Sequence, residues 1–513
     1  MKKSIKRLAC LAVAVMMSFT LLACGKTEEP SGDGGSKEPS KLDKVQLNVY
    51  VMGESPKEDI MTKFYEELDK LTLRDMNATV RFKFSTWADW QSKYNLMLSS
   101  GEDVDLCYSA DWTNYPTYAA KDAFMALDDL LPKYAPNINK AIKPEIWDGV
   151  KVKGKIYGVP NQYPEYVQHG VSYREDLRKK YNCAEIKDVD TLGKYIETVM
   201  ANEPTMKNGI VEPQAMQKFF VATTKYQYVD SQDPYGMCKG LVVDPNDLTN
   251  TVVYYGLPEY KEMAKLMKTW ADKGFWSKSV LSTKEDNAVT FESGKSPVRF
   301  ESLPMKTKES SEKIKLKHPD WEVGYFAYNE MNGIIYPCRA NHNVMAVPRG
   351  AKNPERALMF LDKLQSDQEY FDLCTYGVKG LNYNLTDDGK LDYSKIDREK
   401  CNFDIAPWAW RTEEFFRKGV DDWNKWESTV SELKGKSKQD PLDGFVFDTA
   451  NVQAEVAAVA QVEEQYARPL ESGLVGNVDT AYDTLMKKLR DAGIDKVKAE
   501  VDKQLKEFVE NKK

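Results

Sequence analysis

From Val45 to Tyr108 the chain reads strand, helix, strand, helix, strand, and no other stretch constrains the fold as strongly. Val45-Gln46-Leu47-Asn48-Val49-Tyr50-Val51 alternates with period two, the mark of a strand. Ser55-Pro56-Lys57-Glu58 offers an N-cap, a first-turn proline and a capping-box glutamate. Ile60, Phe64, Leu68 and Leu71 then follow at helical spacing. Val80, Phe82 and Phe84 mark a second strand. Thr86 is placed to cap a helix carrying Trp90, Tyr94 and Leu98, with Gly101 past its end. Val104 to Tyr108 is the third strand. Strands joined through helices pair in parallel and carry helices on their faces, so the predicted class is α/β.

Similar signals continue downstream. Lys153-Gly154 is a turn between strand-like pieces that end at Val159-Pro160, and Val171-Ser172-Tyr173 predicts another strand. Leu257 to Asp272 is an amphipathic helix through Met263, Leu266, Met267 and Trp270, stopped by Gly274. Val344 to Val347 is a strand, and Asn353-Pro354-Glu355 opens a helix bearing Ala357, Phe360, Leu361 and Leu364. Residues 386–445 are charged, aromatic and poorly periodic. Helical spacing returns at Val452, Val456 and Val459, at Leu485 and Leu489, and at Val497, Val501, Leu505 and Phe508. With 513 residues the chain is long enough for two or more cores.

The amino end has a different character. Lys2, Lys3, Lys6 and Arg7 precede an apolar run, Leu8 to Ala23, broken only by Ser18 and Thr20. A membrane span needs about 20 apolar residues, so this run fits a signal-peptide core better. Leu21-Leu22-Ala23-Cys24 resembles the lipobox of bacterial lipoproteins, which implies cleavage before Cys24 and diacylglycerol on its thiol. The alternative is an ordinary signal peptide with a chance cysteine. The Gly/Ser/Pro/Glu-rich stretch Gly25 to Lys44 buries little and reads as a tether. Loss of the four leader cations takes the net charge from −7 to −11, and no basic patch dominates, which argues against a nucleic-acid partner.

Familiar catalytic and metal motifs are missing. His169, His318 and His342 lie far apart, with no zinc or non-haem iron spacing, and no metal is expected. Gly294-Lys295-Ser296 lacks the first P-loop glycine, because position 289 is Val289. Asn384 to Lys395 has Gly389 where a calcium loop wants glycine but Lys395 where it wants glutamate. Beyond Cys10 in the leader and Cys24, the six cysteines Cys107, Cys183, Cys238, Cys338, Cys374 and Cys401 are widely spaced, several in apolar strand-like text. They are expected to be mostly free and buried.

The ordered pieces resemble the extracellular solute-binding proteins of bacterial ABC importers, in their large sugar-binding lipoprotein branch. Leu98-Ser99-Ser100-Gly101-Glu102-Asp103-Val104-Asp105-Leu106 is similar to that family's helix end, turn and third strand. Lys153-Gly154-Lys155-Ile156-Tyr157-Gly158-Val159-Pro160 resembles the segment before its first lobe crossover. Val171-Ser172-Tyr173-Arg174-Glu175-Asp176-Leu177 resembles its "YNKDL" segment, with Arg174-Glu175 in place of the commoner pair. Lys352-Asn353-Pro354-Glu355-Arg356-Ala357 resembles a late helix start, and Gly444-Phe445 through Phe508 a C-terminal extension. The resemblance implies a two-lobed, periplasmic-binding-protein-like fold of type II, each lobe a mixed sheet flanked by helices, with a hinge and a helical C-terminus. The expected division is 1–23 leader, 24–44 lipid-anchored linker, 45–165 plus 342–385 lobe 1, 166–341 plus 386–445 lobe 2, and 446–513 extension. The implied partners are a carbohydrate, permease subunits and the bilayer; the chain is expected to act as a monomer without a cofactor and to do no chemistry. The rival readings are a surface glycoside hydrolase, a ligand-presenting sensor and a receptor for peptide or another polar solute.

In open α/β sheets ligands sit beyond the carboxyl ends of strands. The loops at Gly53-Glu54, Ser85-Trp87 and Ala110-Trp112 are therefore expected to face one cleft. A sugar offers C–H faces that suit flat aromatics and hydroxyls that suit charged groups. The candidate ligand contacts are Glu54, Trp87, Asp111, Trp112 and Tyr115 after the early strands, and Tyr163 and Glu165 near the hinge. Glu301, Arg339 and Asn341 (with His342 beside it) are candidates near the return crossover. Trp408 and Trp410, in the aperiodic segment, complete the set as a stacking platform or a seal. Trp423 and Trp426, spaced three apart, are expected on one helix and in the core.

Overall fold

The computed structural model describes residues 42–512, apart from 87–88, 164, 167–168, 231–234 and 421. Residues 1–41, with Cys24, and Trp87 lie outside the described residues. The first three strands are β1 (Val45–Met52), β2 (Ala78–Ser85) and β3 (Leu106–Ser109), joined through helices α1 (Glu58–Met76) and α2 (Trp90–Ser100). β1 pairs in parallel with β2 and with β3, as the alternation requires. Strand Val344–Ala346 runs antiparallel to β3, and strand Gly158–Pro160 runs antiparallel to Val344–Ala346, completing a five-stranded mixed sheet. β1 is buried on both faces from Leu47 onward, as a central strand must be. α1 buries Phe64, Leu68 and Leu71 against this sheet, and Ile60 is buried as well.

Two helix starts differ from expectation. α1 begins at Glu58, after Lys57, without a side-chain cap, and the Ser55 hydroxyl donates to Pro56 O instead. Glu58 and Asp59 in the first turn complement the helix dipole in its place. α2 begins at Trp90, and Thr86 accepts from Asp89 N through its backbone carbonyl rather than capping with its side chain. The Lys153-Gly154 turn is as expected: both residues have positive φ, 50° and 78°, the pair a two-residue hairpin of this type requires.

A second core surrounds a three-stranded antiparallel sheet in which Gly170–Arg174 lies between Val298–Ser302 and Val323–Ala327. Helices Val189–Asn202 and Pro258–Asp272 bury Leu192, Ile196, Met263 and Trp270 there. The C-terminal helices join this lobe. Val459, Leu470, Leu485, Leu489 and Ile494 enter the second core, while Val497, Val501 and Leu505 of helix Ile494–Asn511 pack with Leu241, Val243 and Leu442.

The segment 386–445, expected wholly in lobe 2, is shared between the two cores. Ile405, Ala409 and Trp410 are buried in the first core. Further on, the Trp423 indole donates to Val323 O at 2.9 Å, and Leu433 packs with Ala327 and Ile335. The physical reason is local: the turn Pro407–Trp410 seals the end of the first sheet, where Gln365 donates to both Pro160 O and Ala409 O. All six cysteines in the described part are free; Cys107, Cys238 and Cys374 are buried and the other three partly exposed. Among the described residues no helix is long and apolar enough to cross a membrane.

Candidate functional site

The strand directions decide where side chains converge. β3 and Gly158–Pro160 end, and Val344–Ala346 begins, at the same edge of the first sheet. The chain segments there are the turn Asp111–Thr113, the described residues of the crossover 161–169 and the return crossover 328–343. A backbone bond from Cys338 N to Glu165 O, 2.6 Å, ties the two crossovers together.

Four of the expected contacts meet at this edge. Asp111 Oδ1 lies 3.0 Å from His342 Nδ1 and also accepts from Trp112 N at 2.7 Å. Glu165 accepts from the Asn343 side-chain amide at 3.1 Å and lies 3.7 Å from the Arg411 guanidinium. Asn343 in turn accepts from the Tyr108 hydroxyl at 2.7 Å. The Tyr108 ring sits 5.9 Å from Trp112 and 5.6 Å from Trp408, the second pair edge-on. Trp90 extends the aromatic run beyond Trp112, at 5.6 Å. Trp408 is held here by Asn161, which donates to its carbonyl at 2.9 Å.

Burial pulls the His342 imidazole toward its neutral form, but Cys338 and Asp111 outweigh it and hold the pKa well above the ordinary histidine value. Burial raises the Cys338 thiol as well, against the pull of the neighbouring His342. Burial pushes the Tyr163 phenol up to about 12, so it stays a hydrogen-bond donor at neutral pH.

From this edge a cleft opens between the two cores. Its inner end is lined by Tyr163, Glu165 and Tyr166 of the crossover, by Leu303 to Met305 beyond strand Val298–Ser302, and by Trp426 and Val430. Met305 also lines the larger outer part, a space of about 710 Å³. There helix Pro304–Lys317 faces Tyr376, Tyr393, Trp408, Arg411, Phe416 and Arg417. Lys308 is paired with Asp422 at 2.8 Å and with Glu312, and Arg417 with Asp372 at 2.8 Å. Rings and charged hydrogen-bonding groups therefore share one concave surface.

The remaining expected contacts lie elsewhere. Tyr115 is fully buried, stacked on Phe124 at 5.9 Å, with its hydroxyl donating to Val150 O at 2.8 Å; it is a core residue. Trp410 is fully buried beside Phe82, at 6.2 Å, and seals the first core. Arg339 is spent on an ion pair with Asp440 at 2.9 Å and a bond to Val229 O at 3.0 Å, which fix the return crossover. Asn341 is buried in the turn Ala340–His342. Glu54 is exposed beyond β1, and Glu301 lies in strand Val298–Ser302. Trp426, expected as core, begins its helix and lines the cleft. Arg411 and Asn343 escaped notice because single polar residues in aperiodic text carry no signal.

Residues 64–388 match the family model described as bacterial extracellular solute-binding protein, and residues 441–510 match a domain of unknown function (DUF3502). A carbohydrate ABC transporter substrate-binding protein of Streptococcus pneumoniae is 25% identical over 98% of both chains. A polygalacturonan/rhamnogalacturonan-binding protein of Bacillus subtilis is 22% identical over 78% of both. The fold is similar to that of an N-glycan transport solute binding protein from Streptococcus pneumoniae solved with Man1GlcNAc (TM-score 0.72, 21% identity, covering 91% of this chain and 100% of that one). With two sheet-centred cores, a cleft between them and a family match over more than half its length, the chain belongs to the bacterial extracellular solute-binding proteins.

Proposed function

We propose that this chain is the substrate-binding subunit of an ABC importer, capturing an oligosaccharide between its lobes and passing it unchanged to the permease. The lining of the cleft carries the reading. Trp408, Phe416 and Tyr376 offer faces for sugar C–H groups, and Arg411, Asp404 and Arg398 offer charged partners for hydroxyls. The full-length relative described as a carbohydrate transporter component supports the same ligand class. Ligand that binds the closed lobes more tightly than the open ones shifts the equilibrium toward closure, and closure is what a permease can read. The protein acts as a monomer held at the membrane by lipid on Cys24, in keeping with Leu21-Leu22-Ala23-Cys24.

Isothermal titration calorimetry of the full chain against an oligosaccharide panel, with product analysis of the same mixtures, tests this. Saturable one-to-one binding with intact glycan is expected. Catalytic turnover, or no binding across the panel, overturns it. Mass spectrometry is expected to find lipid on Cys24, and Cys24→Ser to release the protein into the medium; an unmodified thiol ends the anchor.

A further inference from the structure

The fold brings together three side chains of metal-binding type that the sequence keeps apart. Glu165 comes from the first crossover; Cys338 and His342 come from the return crossover, four residues apart across the turn Ala340–His342. One ligand atom from each, a carboxylate oxygen, a thiol sulfur and an imidazole nitrogen, all lie within 4.8 Å of one another. All three residues are partly exposed, so an ion has a way in.

The surroundings are those of a built site. Asp111 Oδ1 lies 3.0 Å from His342 Nδ1, the carboxylate–imidazole pairing that orients metal-bound histidines and leaves the other ring nitrogen to carry the lone pair. Asn343 steadies the Glu165 carboxylate at 3.1 Å. The Cys338 N to Glu165 O bond fixes the spacing of the two crossovers. Sulfur with nitrogen and oxygen is a donor set that suits zinc over the hard ions magnesium and calcium.

We propose that Glu165, Cys338 and His342 bind one zinc-type divalent ion at the junction of the two crossovers, with Asp111 as the positioning residue behind His342. Three protein ligands leave a fourth position for water or a ligand oxygen. Binding releases two protons to solvent, one from the Cys338 thiol and one from the His342 nitrogen that takes the ion, leaving a thiolate and a neutral imidazole. The ion joins the two segments that link the lobes. This site stands or falls independently of the sugar reading, because the ion is bound by groups of the chain alone.

The test uses the full chain, reduced and stripped with chelator, titrated with Co²⁺ alone. One equivalent is expected to give a thiolate-to-cobalt charge-transfer band with tetrahedral d–d absorption, both abolished by Zn²⁺. Cys338→Ser should remove the charge-transfer band. Asp111→Asn should keep the band but weaken the ion about 10- to 100-fold. Cys374→Ser, buried in the first core away from the cluster, should leave the spectrum unchanged. Absence of the band in the unaltered chain overturns the proposal without any variant having to fold. A band that survives Cys338→Ser also overturns it, by assigning the ion to another thiol.

Discussion

Asn343 donates its side-chain amide to Glu165 Oε2 at 3.1 Å, so one neutral residue sets the direction of the carboxylate at the inner end of the cleft. The same side chain accepts from the buried Tyr108 hydroxyl. Asn343→Leu is expected to leave that hydroxyl unsatisfied and to cost about 1–3 kcal/mol in urea denaturation. It should also loosen Glu165 and lower ligand affinity. A denaturation midpoint equal to that of the unaltered chain would remove the bond from the account.

Trp408 and Trp410 are expected to separate cleanly. Trp408→Ala should fold and weaken ligand by about 1–3 kcal/mol, the range for a buried aromatic contact. Trp410→Ala empties a fully buried position and should cost about 3–5 kcal/mol of stability. Calorimetry and thermal melting of the pair distinguish the two roles; equal melting temperatures would contradict the assignment.

The Arg339–Asp440 pair joins the return crossover to the end of the shared segment. Removing one member strands the other charge in a buried place, so Asp440→Ala should destabilise by about 3–5 kcal/mol. Arg339→Met with Asp440→Leu should recover much of that loss. A single variant as stable as the parent would show that solvent reaches the pair.

Acid should stabilise the second lobe locally. Burial pushes Glu471 up from 4.5 to about 7, against hydrogen bonds from Tyr235 and Tyr260; Glu463 raises it further and Arg468 lowers it. The folded state then holds the proton more tightly than the unfolded one. The stabilisation is complete below pH 4.5 and is lost as pH rises through about 7. A shift of this size corresponds to roughly 3 kcal/mol. Glu471→Gln should flatten that part of the stability curve between pH 4.5 and 7.5; an unchanged slope would assign it to other groups.

The fold was legible where periodicity is strong. The β1–α1–β2–α2–β3 unit and the C-terminal stripes Val456/Val459 and Val497/Val501/Leu505 fall where the spacing of apolar residues placed them. The site was legible only in part. Asp111 and Trp112 follow a recognisable strand, and Glu165 follows a recognisable turn. Tyr115 has the same local text, but its partners Phe124 and Val150 come later in the chain, and they bury it. Trp408 and Trp410 share one turn, yet one ring meets Tyr108 and the other Phe82, a division that no spacing of two residues reveals. Segment 386–417 lacks periodicity because it packs as a surface strap, through scattered residues such as Ile405 and Arg417, rather than along a helix face.

Both cores are discontinuous along the chain, and this bears on how the molecule is made. The first core closes only when Val344–Val347 and then Ile405–Trp410 arrive; the second waits for Val459 through Ile494. A polypeptide made amino end first therefore cannot complete either half early. Each half can condense only once its latest segments are present, so the last helices govern when the second core forms.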